Sequence, residues 1–302
     1  MLKNILLAAR PKTLAAGIVP VWAGCMIVWK YANLASNPLG IELNWMLAVY
    51  TLLSCLCIQI ACNFFNDAID ATNKADTAKR QGPKRITASG LMSPRSVQLC
   101  GLTFLGLAAL LSIPLIMERG LSILAIGIPS MILAYGYTGK PFRLAYRGLG
   151  EAFVLLFFGL IAVAGTVYVQ IGWQELFAKI YGATIIIGIQ CGLLSCVLIE
   201  VNNIRDRKED ATTGKRTLAV RLGDKKARHL AMAFILAPYI TLKQTYFFIP
   251  DIQWNIIWLA PALVALYLLL KIRKMPADKR MNVLLGFSAL HLILFVSAIT
   301  WG

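Results

Sequence analysis

The sequence predicts an all-α polytopic membrane protein of nine transmembrane helices, with a cytoplasmic N-terminus and residues 1–302 forming one domain. Three observations carry that expectation. Hydrophobic residues make up 58% of the chain and mean hydropathy is +0.69, above the roughly 45–50% apolar content of soluble domains. Uncharged runs of spanning length recur along the whole chain. The basic residues gather on alternate connections between those runs.

Cutting the sequence at its charges gives runs at 13–29, 43–66, 96–117, 120–139, 152–174, 180–199, 252–270 and 281–302. Each is close to the roughly 20 residues that a helix needs to cross the hydrocarbon layer. The first follows a basic segment, as a signal peptide would, but no small-residue cleavage site leads into a soluble domain, so it is retained as a span. A ninth run, 229–250, contains only Lys243. An ammonium at the bilayer centre costs about 2.5–3.5 kcal/mol, so Lys243 is expected to snorkel to the outer interface.

Orientation follows from the loops, because cytoplasmic segments near span ends are enriched in Lys and Arg. With the N-terminus inside, 26 of the 30 basic residues are cytoplasmic, and only Lys30, Arg119, Lys179 and Lys243 fall outside. Trp29, Trp45, Trp173, Trp254 and Trp301 then lie near the outer ends, as an aromatic belt does. The formal charge of +16 is spread over five short loops, which excludes a nucleic-acid-binding surface and favours anionic lipid and a phosphorylated substrate. The seven cysteines lack metal-ligand pairing with histidine and read as packing residues. His229 and His291 have no second histidine at metal spacing.

Two polar clusters interrupt this pattern: Asn63-Phe-Phe-Asn66-Asp67-Ala-Ile-Asp70 and Asn202-Asn203-Ile-Arg-Asp206-Arg-Lys-Glu-Asp210. Each follows an apolar run and opens one of the two longest connections, 67–95 and 200–228. Asn66 and Asp70 are four apart, as are Asn63 and Asp67, and Asp206 and Asp210, so each pair shares a face of a continuing helix. Carboxylates so placed suit Mg²⁺, which binds one or two of them together with phosphate oxygens. Asp67, Asp70, Asp76, Asp206 and Asp210 are the candidate metal ligands, and Asn66 joins Asp70, Asp206 and Asp210 as a candidate catalytic residue. Arg80, Lys84, Arg85, Lys140, Lys215 and Arg216 are the candidate diphosphate-binding bases, arginine being suited to fork-like phosphate contacts. Lys84-Arg85-Ile-Thr-Ala and Lys215-Arg216-Thr-Leu-Ala give the two loops a faint mutual likeness. Glu151 and Glu200 stand at span edges and read as interfacial or helix-end acids. Phe64, Phe65, Phe157 and Phe158 read as helix-packing residues.

The chain resembles the UbiA superfamily of intramembrane aromatic prenyltransferases over nearly its whole length. The resemblance rests on Ala9-Arg-Pro-Lys-Thr-Leu14, Asn66-Asp-Ala-Ile-Asp70, Gly82-Pro-Lys-Arg-Ile-Thr-Ala-Ser-Gly90, Gly148-Leu-Gly-Glu151, and Asn202-Asn-Ile-Arg-Asp206 through Gly214-Lys-Arg-Thr-Leu-Ala-Val-Arg-Leu-Gly223. Together these are similar to the branch that prenylates 1,4-dihydroxy-2-naphthoate in menaquinone synthesis. The resemblance implies that Asn66, Asp70, Asp206 and Asp210 arrange Mg²⁺ and diphosphate, and that Arg80 and Arg85 assist. It implies a polyprenyl diphosphate and an aromatic acid as substrates, loss of pyrophosphate and CO₂, and an inner-membrane enzyme whose site opens at the cytoplasmic face. Lys74 departs from the pattern, since the naphthoate branch more often has glycine there. The stretch from Tyr135 to Pro141 does not look like that of 4-hydroxybenzoate prenyltransferases. Tyr135, Tyr137 and a metal-bound carboxylate all stand as activators of the aromatic hydroxyl. Transfer to 4-hydroxybenzoate, homogentisate or 1,4-dihydroxy-6-naphthoate is the rival activity. Ion-coupled transport is the rival of a different class, because near-membrane carboxylates also mark cation paths.

Overall fold

A computed structural model describes residues 2–34, 40–75, 81–83, 85–172 and 178–302. Asp76, Arg80, Lys84 and Trp173 lie outside the described residues. The described residues form helices and turns, with no strand among them. In chain order the α-helices are α1 (Leu2–Ala9), α2 (Ala15–Ala32), α3 (Trp45–Thr72), α4 (Pro94–Arg119), α5 (Ser122–Gly136), α6 (Gly150–Leu155), α7 (Ala162–Ile171), α8 (Ala178–Thr212), α9 (Leu218–Ile240), α10 (Leu242–Phe248), α11 (Leu259–Lys274) and α12 (Asn282–Trp301).

Local sequence sets several of the boundaries. Asn44 caps α3 by accepting the Leu47 amide at 3.1 Å, and Ser93 caps α4 by accepting that of Ser96 at 3.1 Å, with Pro94 in the first helical position. Thr217 caps α9 through the Val220 amide at 3.3 Å. Gly223 interrupts α9 with φ 76° and ψ 168°, a left-handed conformation that glycine takes without a Cβ penalty.

Seven helices among the described residues are long and apolar enough to cross a membrane: Ala15–Ala32, Trp45–Thr72, Pro94–Arg119, Gly150–Ile171, Lys179–Thr212, Ile256–Lys274 and Lys279–Trp301. The other two runs are helical but shorter. Run 120–139 supplies α5, of 15 residues, and run 229–250 is divided at Thr241 between α9 and α10. Between α6 and α7 the backbone takes a π-helical turn at Leu156–Ile161 without breaking the span.

α8 is the axis of the assembly. In its apolar window 67% of residues are buried, against 17% in α4, so α8 is central while α4 offers Leu99, Leu102, Leu110 and Met117 to the surroundings. One core joins α2, α7, α8, α10 and α12 through residues such as Ile27, Val163, Ile187, Leu242 and Phe295. A second joins α8, α9, α11 and α12 through Ile204, Ile235, Leu268 and Leu284. Small residues let the π turn approach α8: a Cβ on Gly159 would lie 2.4 Å from the Gly188 carbonyl oxygen and 2.7 Å from the Gly192 Cα. Close backbone approach of this kind replaces, within lipid, the hydrophobic drive that soluble helix pairs use.

Candidate active site

α3 ends in a polar stripe of Gln59, Asn63, Asn66 and Asp70, spaced four, three and four residues apart and therefore on one face. Two of these side chains tie the segment before α2 to α3: Gln59 Nε2 donates to the Thr13 carbonyl at 2.7 Å, and Asn63 Nδ2 to the Ala9 carbonyl at 3.0 Å. Asn66 Oδ1 accepts from the Thr138 hydroxyl. Ser195, Leu198, Ile199 and Asn202 form the facing stripe of α8. Gln59, Asn63 and Asn66 and this facing stripe, with Arg10, Thr13, Tyr137, Phe153 and Phe158, line a polar cavity of about 130 Å³.

Beyond the cavity the two acidic clusters meet at one cation. Lys215 Nζ lies 3.5 Å from Asp70 Oδ2 and 3.9 Å from Asp210 Oδ1, both carboxylates being buried at 3% and 6% exposure. The Asp210 carbonyl accepts the Lys215 amide at 3.0 Å, which turns the chain back so that Lys215 faces the end of its own helix. Tyr146 donates to Asp70 Oδ1 at 2.8 Å and sits 5.7 Å from the Lys215 ammonium across its ring face. Burial, and then the nearby Asp70 charge, push the Tyr146 hydroxyl up to about 12, so it remains a donor at neutral pH.

The remaining expected residues separate into groups. Asp206 receives a two-pronged contact from Arg205, at 2.7 Å to each oxygen, and Arg205 Nη1 also donates to Asn282 Oδ1 at 2.5 Å. Asp67 is engaged elsewhere: its oxygens accept the backbone amides of Ile86 at 3.2 Å and Thr87 at 2.9 Å. Its 1%-exposed carboxylate thus anchors the loop after α3, and the described contacts do not bring this expected metal ligand to Lys215 beside Asp70. Arg85 is half-buried in that loop. Lys140 and Arg216 are exposed, and the described contacts do not bring them to the Asp70–Lys215–Asp210 cluster; the Arg216 amide instead donates to the Tyr146 carbonyl at 3.1 Å.

The oxygen donors here fit Mg²⁺. Among the described residues no three His, Cys, Asp or Glu side chains converge into a closed cage. A small set of carboxylate and amide oxygens that leaves the remaining positions to phosphate and water is the arrangement Mg²⁺ favours. Asp70 and Asp210 already flank a positive charge, so a cation is accommodated between the ends of α3 and α8.

Sequence reading gave no role to Tyr146, Thr138 or Arg10. Tyr146 lies in a loop with no motif of its own, and its one signal is its place just before Gly148-Leu-Gly-Glu151. Arg10 lies in the Ala9–Leu14 string and takes a left-handed φ of 52° at the cavity wall. Phe157 and Phe158 depart from their expected packing role. With Phe153, Ile58, Leu115 and Ile123 they line an apolar cavity of about 140 Å³ that shares Gln59, Cys62, Phe153 and Phe158 with the polar one. Phe64 and Phe65 do pack, fully buried, against Phe104 and Tyr135. Glu151 stands in the first turn of α6 and Glu200 within α8, both buried, at 4% and 0% exposure. Lys74 adopts φ 56°, which gives the glycine expected there its physical reason.

Comparison with known proteins agrees with this geometry. Residues 14–296 match the UbiA prenyltransferase family. A 1,4-dihydroxy-2-naphthoate octaprenyltransferase of Mycobacterium tuberculosis is 33% identical over 262 residues, covering 85% of this chain and 82% of that protein. One of the same name from Haemophilus influenzae is 35% identical over 227 residues, covering 73% and 69%. Among solved structures, a UbiA homologue from Archaeoglobus fulgidus bound to DMAPP and Mg²⁺ superposes with a TM-score of 0.61 at 17% identity, over 99% of this chain and 100% of the other. Facing polar helix ends above an aromatic-walled cavity and a family match over nearly the whole sequence lead to one conclusion: the chain belongs to the UbiA prenyltransferase family.

Proposed function

We propose that the chain transfers a polyprenyl group from a polyprenyl diphosphate to 1,4-dihydroxy-2-naphthoate, releasing pyrophosphate and CO₂ and giving the prenyl-naphthoquinol, the reduced form of demethylmenaquinone. The observation that carries this reading is the convergence at Lys215, where carboxylates from the ends of α3 and α8 flank one ammonium near adjoining polar and apolar cavities. A substrate with a highly charged head and a hydrocarbon tail needs two such environments side by side. The acceptor is the one named for the mycobacterial and Haemophilus relatives.

Asp70, Asp206 and Asp210, with Asn66 and Asp76, form the set that would hold Mg²⁺. When bound, Mg²⁺ neutralises the charge that grows on the diphosphate oxygens as the allylic C–O bond breaks. Lys215 and Arg85, with Arg80, Lys84, Lys140 and Arg216 drawn in around the head group, hold the diphosphate. Tyr146 keeps its proton and fixes the Asp70 carboxylate by donating to it. Phe153, Phe157 and Phe158 wall the allylic carbon away from water, so that the electron-rich naphthoate ring and not hydroxide attacks it.

In this reading the eight uncharged runs and the run 229–250 are nine spans, the N-terminus is cytoplasmic, and the site opens at the cytoplasmic face of the inner membrane. The loop distribution of 26 basic residues against four supports that orientation. Membrane lipid and the two substrates are the partners required. The test is mass spectrometry of products formed by purified protein from defined prenyl diphosphates and a panel of acceptors. Decarboxylated prenyl-naphthoquinol with stoichiometric pyrophosphate is the expected result. Product from 4-hydroxybenzoate or homogentisate alone would reassign the acceptor, and ion flux without pyrophosphate release would make the protein a transporter.

A further inference from the structure

Behind the polar cavity two acidic side chains lie where an acid is least expected. Glu151 near the start of α6 and Glu200 in α8 are almost fully buried, and they face each other, because Cys196 and Asn203, which flank Glu200 on one face of α8, both touch Glu151. One side-chain donor reaches the pair: Asn203 Nδ2 donates to Glu151 Oε1 at 2.7 Å. Glu151 Oε2 and both carboxyl oxygens of Glu200 have no donor from the protein. Two adjacent buried carboxylates cannot both carry charge without a cation between them, so the arrangement is satisfied when one proton lies between the two groups. The titratable neighbours are Tyr137 from the end of α5, Cys196 one turn earlier on α8, and Lys215. Cys196 is committed to the Glu151 carbonyl through its thiol at 3.2 Å.

The pair also has a route to the site. Glu151, Asn203, Lys215 and Tyr137 line a small cavity of about 30 Å³, and Tyr137 is at the same time a wall of the larger polar cavity. We infer that Glu151 and Glu200 share one proton and act as the proton-accepting pair of the transfer reaction, receiving the hydroxyl proton of the aromatic acceptor past Tyr137. The inference rests on the prenyl-transfer reading. As the ring carbon bonds to the allylic carbon, the allylic C–O bond breaks and its electron pair leaves with diphosphate. The acceptor hydroxyl becomes a carbonyl, and its proton converts the singly protonated pair into a doubly protonated one. The Tyr137 hydroxyl gives one proton and takes one, with no net change.

The test compares full-length wild-type protein with Glu151→Gln, Glu200→Gln and Glu200→Asp, measuring turnover against pH, the Michaelis constant for the prenyl diphosphate, and thermal stability in detergent. Either Gln variant should lose at least about a hundredfold in turnover, the range general base catalysis contributes, with the diphosphate constant unchanged. Wild-type turnover should fall on the acid side as the pair fills with a second proton. The residual activity of the Gln variants should lack that fall, and Glu200→Asp should regain part of the loss. Wild-type turnover and pH profile in the Gln variants would overturn the inference, as would a loss restored by raised Mg²⁺, which would make the pair a cation site. Infrared spectra of protein carrying labelled glutamate are independent of variant folding. A protonated glutamate carboxyl at neutral pH is expected, and its absence overturns the shared proton. Wild-type protein that prenylates no naphthoate would sink the proposed function, and the infrared result would still decide the pair.

Discussion

Asp67 and Asp70 stand three residues apart on one helix, yet they do different work. Asp70 meets a tyrosine hydroxyl and a lysine ammonium, groups that an incoming cation or phosphate can displace. Asp67 holds two backbone amides of the loop that follows α3. Asp70→Asn and Asp210→Asn should therefore each lower turnover by at least about a hundredfold while the melting temperature in detergent stays near wild type, and EDTA should abolish activity in all of them. Asp67→Ala should instead lower the melting temperature, since each stranded buried amide costs about 1–3 kcal/mol. Turnover that survives the Asp70 and Asp210 substitutions, or that persists in EDTA, would remove the metal-diphosphate mechanism. The sequence pairs Asn63 with Asp67 as readily as Asn66 with Asp70, because spacing gives a shared face and not the partner that face meets. Which carboxylate becomes an anchor depends on where residues 85–87 return, and that is a tertiary fact.

Helices were the more legible level. Among the described residues the uncharged runs fall on helical segments, because backbone groups in lipid must be satisfied within the segment. The break at Thr241 and the π turn at Leu156–Ile161 were not legible, since neither interrupts the apolar composition that marks a span. The π turn matters for packing. Gly159→Ala should destabilise the protein by about 1–3 kcal/mol, because its Cβ would meet α8 backbone, which cannot yield as a side-chain end can. Gly106→Ala, whose Cβ meets nothing within 4 Å, is the matched control. Thermal melts of the two variants decide the point. At the other end of the molecule Arg228 latches α9 to α11, donating to Asp224 at 2.7 Å and to the Met275 carbonyl at 2.8 Å. The Arg228 hydrogen bond holds the Asp224 carboxyl below its ordinary 3.8 against the opposing effect of burial. A depressed pKa contributes stability that is present above the unfolded value and lost as pH falls through the folded one. Acid melts below about pH 4 should thus separate wild type from Asp224→Asn less and less, while turnover at neutral pH stays near wild type in the variant.

Across the whole molecule the charge asymmetry makes its own prediction. In a cysteine-free background, Thr212→Cys at the end of α8 should label from the cytoplasmic side and Asn255→Cys, ahead of α11, from the other. Labelling of both from one side would break the nine-span orientation and with it the cytoplasmic site. The family and its two acidic clusters could be read in the sequence, because Asn66, Asp70, Asp206 and Asp210 fall in long motif strings. The meeting of those clusters at Lys215, and the burial of Glu151 beside Glu200, follow from how α3 and α6 sit against α8, which no single motif encodes.

The apolar cavity beside Phe153 and Phe158 has a last consequence. At about 140 Å³ it is close in size to a cavity that takes a single benzene ring. It can grip the reacting isoprene unit but has no room to coil up a long chain, whose remainder must trail between helices into the bilayer. This cavity then sets no chain length. Quinone tail length would be decided upstream, by the enzyme that elongates the diphosphate, and short and long donors should turn over at comparable rates once each is dissolved in the same lipid.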